Sequence, residues 1–203
     1  MPLQDISVVD DFINEAYEQQ IFETLCALKS KWEVLNGRQT LQLGGSLTPK
    51  GTLIQTPFPD WVQSLIDKIS REIGIFNNDD GSQRINHILV NKYDIEGGII
   101  PHKDGDCYES TVVILSLMSP VTMKFFSDDE THALVDSVIL RPRSLLIFKG
   151  EAYTKCLHGI QAGREVEDVV DRDGLVKRVT RTGTRISLTF RRVKKVAPCF
   201  IRV

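Results

Sequence analysis

His102 and Asp104 stand two residues apart in Ile99-Ile100-Pro101-His102-Lys103-Asp104-Gly105, at the end of an apolar run. If that run is a strand, both side chains leave the same face and can grip one metal ion together. They lack one ligand for an open site. His158, at the end of a second apolar run in Cys156-Leu157-His158-Gly159, is the candidate third. Two histidines and one carboxylate, with the other coordination positions free, form the facial triad of non-haem Fe(II) oxygen chemistry. A lone His-x-Asp arises by chance in many chains, so the reading depends on its companions. Cys156 could share a zinc ion with His158, but tetrahedral zinc asks for four close ligands and this set is short. His87, within a strand-like run, and His132, in an acidic turn, read as structural.

A second constellation lies in Arg185-Ile186-Ser187-Leu188-Thr189-Phe190-Arg191. As a strand it sends Arg185, Ser187, Thr189 and Arg191 to one face and the three apolar residues to the other. The arginines would stand about 20 Å apart along the backbone, a gap their long side chains can shorten to the length of a small dicarboxylate. A planar guanidinium holds a carboxylate through two parallel hydrogen bonds. The competing reading is an edge strand with two solvated arginines. Asn91 and Tyr93 also share a face, on the strand leading toward His102, where they can orient a bound acid or fill a sheet wall.

The elements that must position these residues divide the chain in two. Asn14 can cap a helix over about 15–29, with Tyr17, Ile21, Phe22, Leu25 and Leu28 at helical spacing. Asp60 caps a second helix over about 61–73, which Phe76-Asn77-Asn78-Asp79-Asp80-Gly81 closes. Between them, after a short strand at 32–35, the segment 36–59 carries Gly37, Gly44, Gly45 and several prolines, and reads as a mobile loop or substrate lid. From residue 85 the pattern changes to short strands at 85–93, 111–117, 121–126, 137–140, 144–148 and 185–193. The charged segment 162–183 reads as a surface loop. Together these predict one α+β domain over 1–203, a mostly β chain in which a double-stranded β-helix (jelly roll) core over 85–193 is buttressed by two helices from residues 1–84.

With 203 residues the chain can bury one substantial core. No apolar run reaches the roughly 20 residues of a membrane span, and the N-terminus lacks a secretory pattern. Four scattered cysteines without a CxxC pair predict free thiols and a cytoplasmic or nuclear protein. The net charge of −2 argues against a protein that coats nucleic acid. It is unevenly spread, because residues 171–203 hold ten Lys/Arg against two Asp/Glu, leaving −10 on residues 1–170. That basic stretch could touch phosphates, although a solvated loop and strand end is the plainer reading.

Taken together, Asn91-x-Tyr93, His102-x-Asp104, His158 and Arg185-x5-Arg191, in that order, resemble the AlkB-like Fe(II)/2-oxoglutarate dioxygenases. Leu157-His158-Gly159-Ile160, Pro142-Arg143-Ser144-Leu145-Leu146 and Ala152-Tyr153-Thr154 are most similar to the group of the sixth eukaryotic AlkB homologue. The resemblance runs from Val8 to Val193. It implies that His102, Asp104 and His158 hold Fe(II). It also implies that Arg185, with Tyr93 and Ser187, binds the distal carboxylate of 2-oxoglutarate, and that Asn91 and Arg191 sit nearer the metal, with Arg191 neutralising Asp104. No separate catalytic acid or base is implied. The implied reaction consumes O2 and 2-oxoglutarate, releases succinate and CO2, and demethylates alkylated RNA or DNA with loss of formaldehyde. A base is commonly stacked on an aromatic ring in such sites. This chain has Leu43 before the glycines of the stretch 38–45, leaving Trp32 or Tyr108 as substitutes. Hydroxylation of a protein side chain, or nucleic-acid binding with little turnover, are the alternatives.

Overall fold

The computed structural model describes residues 3–28, 31–76, 84–163 and 165–198. In chain order the elements are β1 (Ile6–Val9), α1 (Glu15–Ala27), β2 (Glu33–Leu35), β3 (Arg38–Leu43), β4 (Gly45–Leu47), β5 (Thr52–Gln55) and α2 (Asp60–Ile73). Then come β6 (His87–Tyr93), β7 (Ile99–His102), β8 (Thr111–Leu117), β9 (Val121–Ser127), β10 (Leu134–Leu140), β11 (Leu145–Lys149) and the short α3 (Gly150–Thr154). The last are β12 (Cys156–Ile160), β13 (Val166–Val170), β14 (Val176–Thr180), β15 (Arg185–Arg191) and β16 (Lys195–Pro198).

Two antiparallel sheets form the core. The larger runs β1-β11-β8-β15-β6-β3-β2 and the smaller β10-β9-β12-β7. Strand alternation assigns each face of the larger sheet its own neighbour. Val113, Leu115 and Leu117 of β8 and Ile186, Leu188 and Phe190 of β15 pack with Ile21 and Leu25 of α1 and Val62, Leu65 and Ile69 of α2. The alternate residues Val112 and Ile114, with Leu146 and Phe148 of β11, meet Val121, Met123 and Phe125 of the smaller sheet. The result is the expected jelly roll with two buttressing helices. Among the described residues no helix is long and apolar enough to cross a membrane.

The helix termini follow local chemistry. Asn14 Oδ1 accepts the backbone N–H of Tyr17 at 2.8 Å, satisfying one of the donors left open at the start of α1. In α2 the expected cap is displaced by one residue. Pro59 occupies the cap position without a side-chain bond and Asp60 is the first helical residue, where its charge suits the helix dipole. Gly74, at φ +69°, ends the helix. Residues 77–80 and Gly81 of the expected closing turn lie outside the described residues.

Two loop expectations are overturned. Segment 36–59 contains β3, β4 and β5, and β3 is hydrogen-bonded along β6 inside the larger sheet. The glycines serve the turn from β3 to β4, because a Cβ at Gly45 (φ +135°) would lie 2.2 Å from the Ile54 carbonyl oxygen. Segment 162–183 contains the β13–β14 hairpin, whose charges pair with one another: Arg178 Nε lies 2.9 Å from Asp168 Oδ1, and Lys177 Nζ lies 2.6 Å from both Asp171 and Asp173. Part of the basic C-terminal stretch is withdrawn from any phosphate. Arg181, Arg185 and Arg191 are buried, and Arg181 donates to the carbonyls of Ile95, Gly97 and Gln161.

Candidate metal centre

β7 and β12 are antiparallel neighbours in the smaller sheet, with His102 directly opposite His158. β7 stops at His102, and Asp104 follows in the loop beyond it. The ligand atoms of His102, Asp104 and His158 all lie within 4.8 Å of one another. Cys156 is buried but takes no part in this cluster.

Each of the three is prepared for a cation. His102 Nδ1 lies 2.9 Å from the Ile100 carbonyl oxygen, which can only accept, so Nδ1 is the donor and Nε2 is the ring nitrogen left to face a cation. His158 is buried against Phe148 and Phe125, and burial pulls its pKa down to about 4, Asp104 opposing and the neighbouring His102 and Arg191 adding to the effect. A neutral imidazole is the ligand form. Asp104 Oδ1 accepts from Arg191 Nη2 at 2.5 Å, while the buried Oδ2 has no hydrogen-bond partner among the described residues. A buried carboxylate oxygen without a donor is costly, and a metal ion there would satisfy it.

The larger sheet faces this cluster with polar residues. On β15, Arg185, Ser187, Thr189 and Arg191 are all buried, and β15 lies between β6 and β8, not at an edge. The solvated-arginine reading is therefore excluded. The register sets Arg185 opposite Tyr93, Ser187 opposite Asn91 and Arg191 opposite His87. Arg185 Nη2 donates to Ser116 Oγ at 3.0 Å and its guanidinium lies 5.4 Å from the centre of the Tyr93 ring. Its Nε and Nη1 are buried without an acceptor among the described residues. Burial pulls Arg185 down to about 10, so it is still a cation at neutral pH. Burial pushes the Tyr93 phenol up, with Arg185 opposing, so the phenol keeps its proton.

These groups and the metal cluster line one cavity of about 480 Å³, which also includes Arg38, Tyr108, Ile114 and Met123. Arg38 falls within the expected lid. It stands on β3, and its Nε donates to Asn91 Oδ1 at 3.1 Å. The aromatic ring available in the cavity besides Tyr93 is Tyr108, beneath the Arg191 guanidinium at 4.7 Å. Trp32 is elsewhere, packed in the helix-side core with its indole N–H on the Leu25 carbonyl. Leu43 is buried in that same core and so turns away from the cavity.

The family described as the 2OG-Fe(II) oxygenase superfamily matches residues 11–191 of this chain. The chain belongs to that superfamily. It is 33% identical, over 93% of its length and 85% of the relative's, to the "Probable RNA/DNA demethylase ALKBH6" of Danio rerio, which places it in the AlkB-like branch. It is 25% identical to the "Alkylated DNA repair protein ALKBH8 homolog" of Arabidopsis thaliana, covering 95% of this chain and 59% of that one. In fold it is similar to the solved structure of OsALKBH1, with a TM-score of 0.63 at 18% identity over 95% of this chain and 99% of the other. As a member of the superfamily, the chain is a 2-oxoglutarate-dependent dioxygenase that works with Fe(II), and O2 is the general oxidant of the reaction.

Proposed function

We propose that this oxygenase demethylates alkylated nucleic acid, with Fe(II) held by His102, Asp104 and His158. The observation that carries the site assignment is that the cavity holds unpaired groups of both signs: Asp104 Oδ2 toward a cation, and Arg185 Nε and Nη1 toward an anion. Arg185 receives the distal carboxylate of 2-oxoglutarate as a two-pronged donor, its orientation fixed by Ser116 and Tyr93. The hydroxyls of Tyr93 and Ser187 lie on the same face to complete that end. Asn91, held by Arg38, and Arg191, held by Asp104, stand at the end nearer the metal. When bound, iron and 2-oxoglutarate would supply the activation of O2, one oxygen atom of which enters a C–H bond while the other goes into succinate as CO2 is released.

The chain's own contribution is binding, orientation and a dry wall. Ile114, Met123 and Ile160 line the cavity beside the charged groups, which lowers the local dielectric and strengthens the Arg185 interaction. On an N-methyl group, hydroxylation gives a hemiaminal that loses formaldehyde. Nucleic acid is favoured as substrate by the names of the relatives from Danio rerio and Arabidopsis thaliana. The aromatic available beside a target base is Tyr108. We place the work in a reducing compartment, cytoplasm or nucleus, in keeping with the free thiols of Cys26, Cys107 and Cys156.

Succinate release tests the proposal. The Fe(II)-loaded protein should release succinate with methylated single-stranded DNA or RNA, and His158→Ala should abolish that stimulation. Stimulation by peptides and by no methylated oligonucleotide would assign it to protein hydroxylation instead.

A further inference from the structure

A second cavity, of about 710 Å³, lies against the first and shares Arg38, Ile99, Ile100 and Ile160 with it. Ile99 and Ile160 are opposite each other in the smaller sheet and form the partition. The floor is the outer side of that sheet, where Lys124 and Phe126 of β9 alternate with the inward-facing Met123 and Phe125. The far wall is the β2–β3 turn, Asn36-Gly37-Arg38. Ile100, two residues before His102, is 81% exposed at the rim.

The charge of this groove is one-sided. Among the described residues its lining contains Arg38 and Lys124 and no carboxylate. Lys124 is already engaged, 3.0 Å from Glu167 Oε2, which leaves Arg38 as the cation with capacity to spare. Only Nε of Arg38 is used, on Asn91 Oδ1, and among the described residues its two Nη groups have no hydrogen-bond partner. Arg38 therefore stands where the two cavities meet, with a fork of free donors.

We propose that the groove seats the nucleotide next to the target base of a single-stranded nucleic acid, and that Arg38 holds the phosphate between the two. This inference rests on the nucleic-acid reading of the metal cavity. A floor in which the Phe126 ring lies beside the ion-paired Lys124 is a stacking platform for any base, and a guanidinium with free donors at its edge suits the anionic link to a base in the neighbouring cavity. The volume is within the roughly 300–1,000 Å³ of small-ligand pockets, ample for one nucleotide. Contact of this kind is sequence-tolerant and gives the enzyme a preference for strands over free nucleosides.

Ile100→Glu puts a carboxylate at the groove rim while changing a side chain that is already in solvent. Fluorescence polarisation would follow labelled, unmethylated single-stranded DNA and RNA nonamers binding to protein loaded with redox-silent Mn(II) and 2-oxoglutarate. Ile100→Glu should weaken binding about tenfold or more, and Arg38→Gln should lower the slope of log Kd against log salt by about one. Succinate release from a methylated nonamer should fall in parallel in the Fe(II) form of Ile100→Glu. Equal nonamer binding by wild type and Ile100→Glu would overturn the groove assignment. So would a peptide pool that binds where no nonamer does and is lost in Ile100→Glu. If nonamer binding falls in Ile100→Glu but no methylated nucleic acid yields succinate with wild type, the groove assignment stands and the demethylase reading fails.

Discussion

The two faces of β15 are equally hidden from water. Ile186, Leu188 and Phe190 are buried in the helix-side core, and Arg185, Ser187, Thr189 and Arg191 are buried toward the smaller sheet. The first face is filled by neighbours and contributes stability. The second leaves Arg185 Nε and Nη1 and Arg191 Nε without acceptors, so it detracts from stability in the free protein and gains from a ligand. Burial alone thus fails to distinguish packing from function. What distinguishes the two faces is whether the polar atoms there are already paired.

The largest test of this contrast is at the metal cluster that the polar face confronts. Asp104→Ala should lose Mn(II) binding, read by electron paramagnetic resonance, and lower 2-oxoglutarate turnover at least about a thousandfold, because an open site with two ligands left holds a divalent ion poorly. Retained metal binding would move the site elsewhere. Next, Phe190→Ala on the apolar face should cost about 3–5 kcal/mol of folding stability in chemical denaturation, with 2-oxoglutarate affinity per folded molecule unchanged. Arg185→Ala on the polar face should do the reverse. The Kd for 2-oxoglutarate should rise on the order of 100-fold, since charged bidentate hydrogen bonds are lost. Stability should stay level or rise, because an underpaired buried cation is gone. If both variants lose stability to the same extent, the two faces are doing one job and the contrast fails.

A smaller effect is expected at His87, opposite Arg191 at the polar end of the register. Burial, and then the charge of Arg191, pull its pKa down from 6.5 to about 4. The folded state therefore resists protonation that the unfolded chain accepts, so stability is full above about pH 6.5 and declines as pH falls toward 4. Between pH 7 and pH 5, His87→Gln should lose about 2 kcal/mol less stability than wild type. Equal acid sensitivity of the two proteins would show that His87 is already charged or solvated in the fold.

Much of this site is legible in the sequence because its chemistry is written in short, regular spacings. The alternation in β15 foretells which residues share a face, and the pattern of strands after residue 85 foretells the jelly roll. β3 escapes because the alternate side chains Arg38, Thr40 and the exposed Gln42 are polar groups next to glycines and prolines that mimic a loop. Its outward Leu41 and Leu43, buried with the helices, are the available signal, two alternating leucines at the end of a short run. The β13–β14 hairpin escapes because its buried apolar residues are Val169 and Val179, packed with Ile139, amid charges such as the exposed Asp168–Arg178 pair, and a charged segment without sustained apolar alternation carries no strand signature. Arg181 passes for a member of a basic surface, since nothing local shows that a guanidinium will be spent on three backbone carbonyls.

The place of β15 in the larger sheet also bears on how the protein is made. Its partners β6 and β8 precede it by some 70 to 100 residues in the chain and lie on either side of it. Synthesis from the N-terminus therefore produces two halves of a sheet, each with an open edge, and the strand that joins them arrives late. Until residue 191 has left the ribosome, Asp104 has no Arg191 and the binding cavity has no back wall. Such distant pairing is slow to find and leaves strand edges open to other chains in the meantime. Capture of a ligand that needs both Asp104 and the β15 arginines thus waits until β15 has been made and has docked between β6 and β8, and the nascent chain before that point is the form most in need of a chaperone.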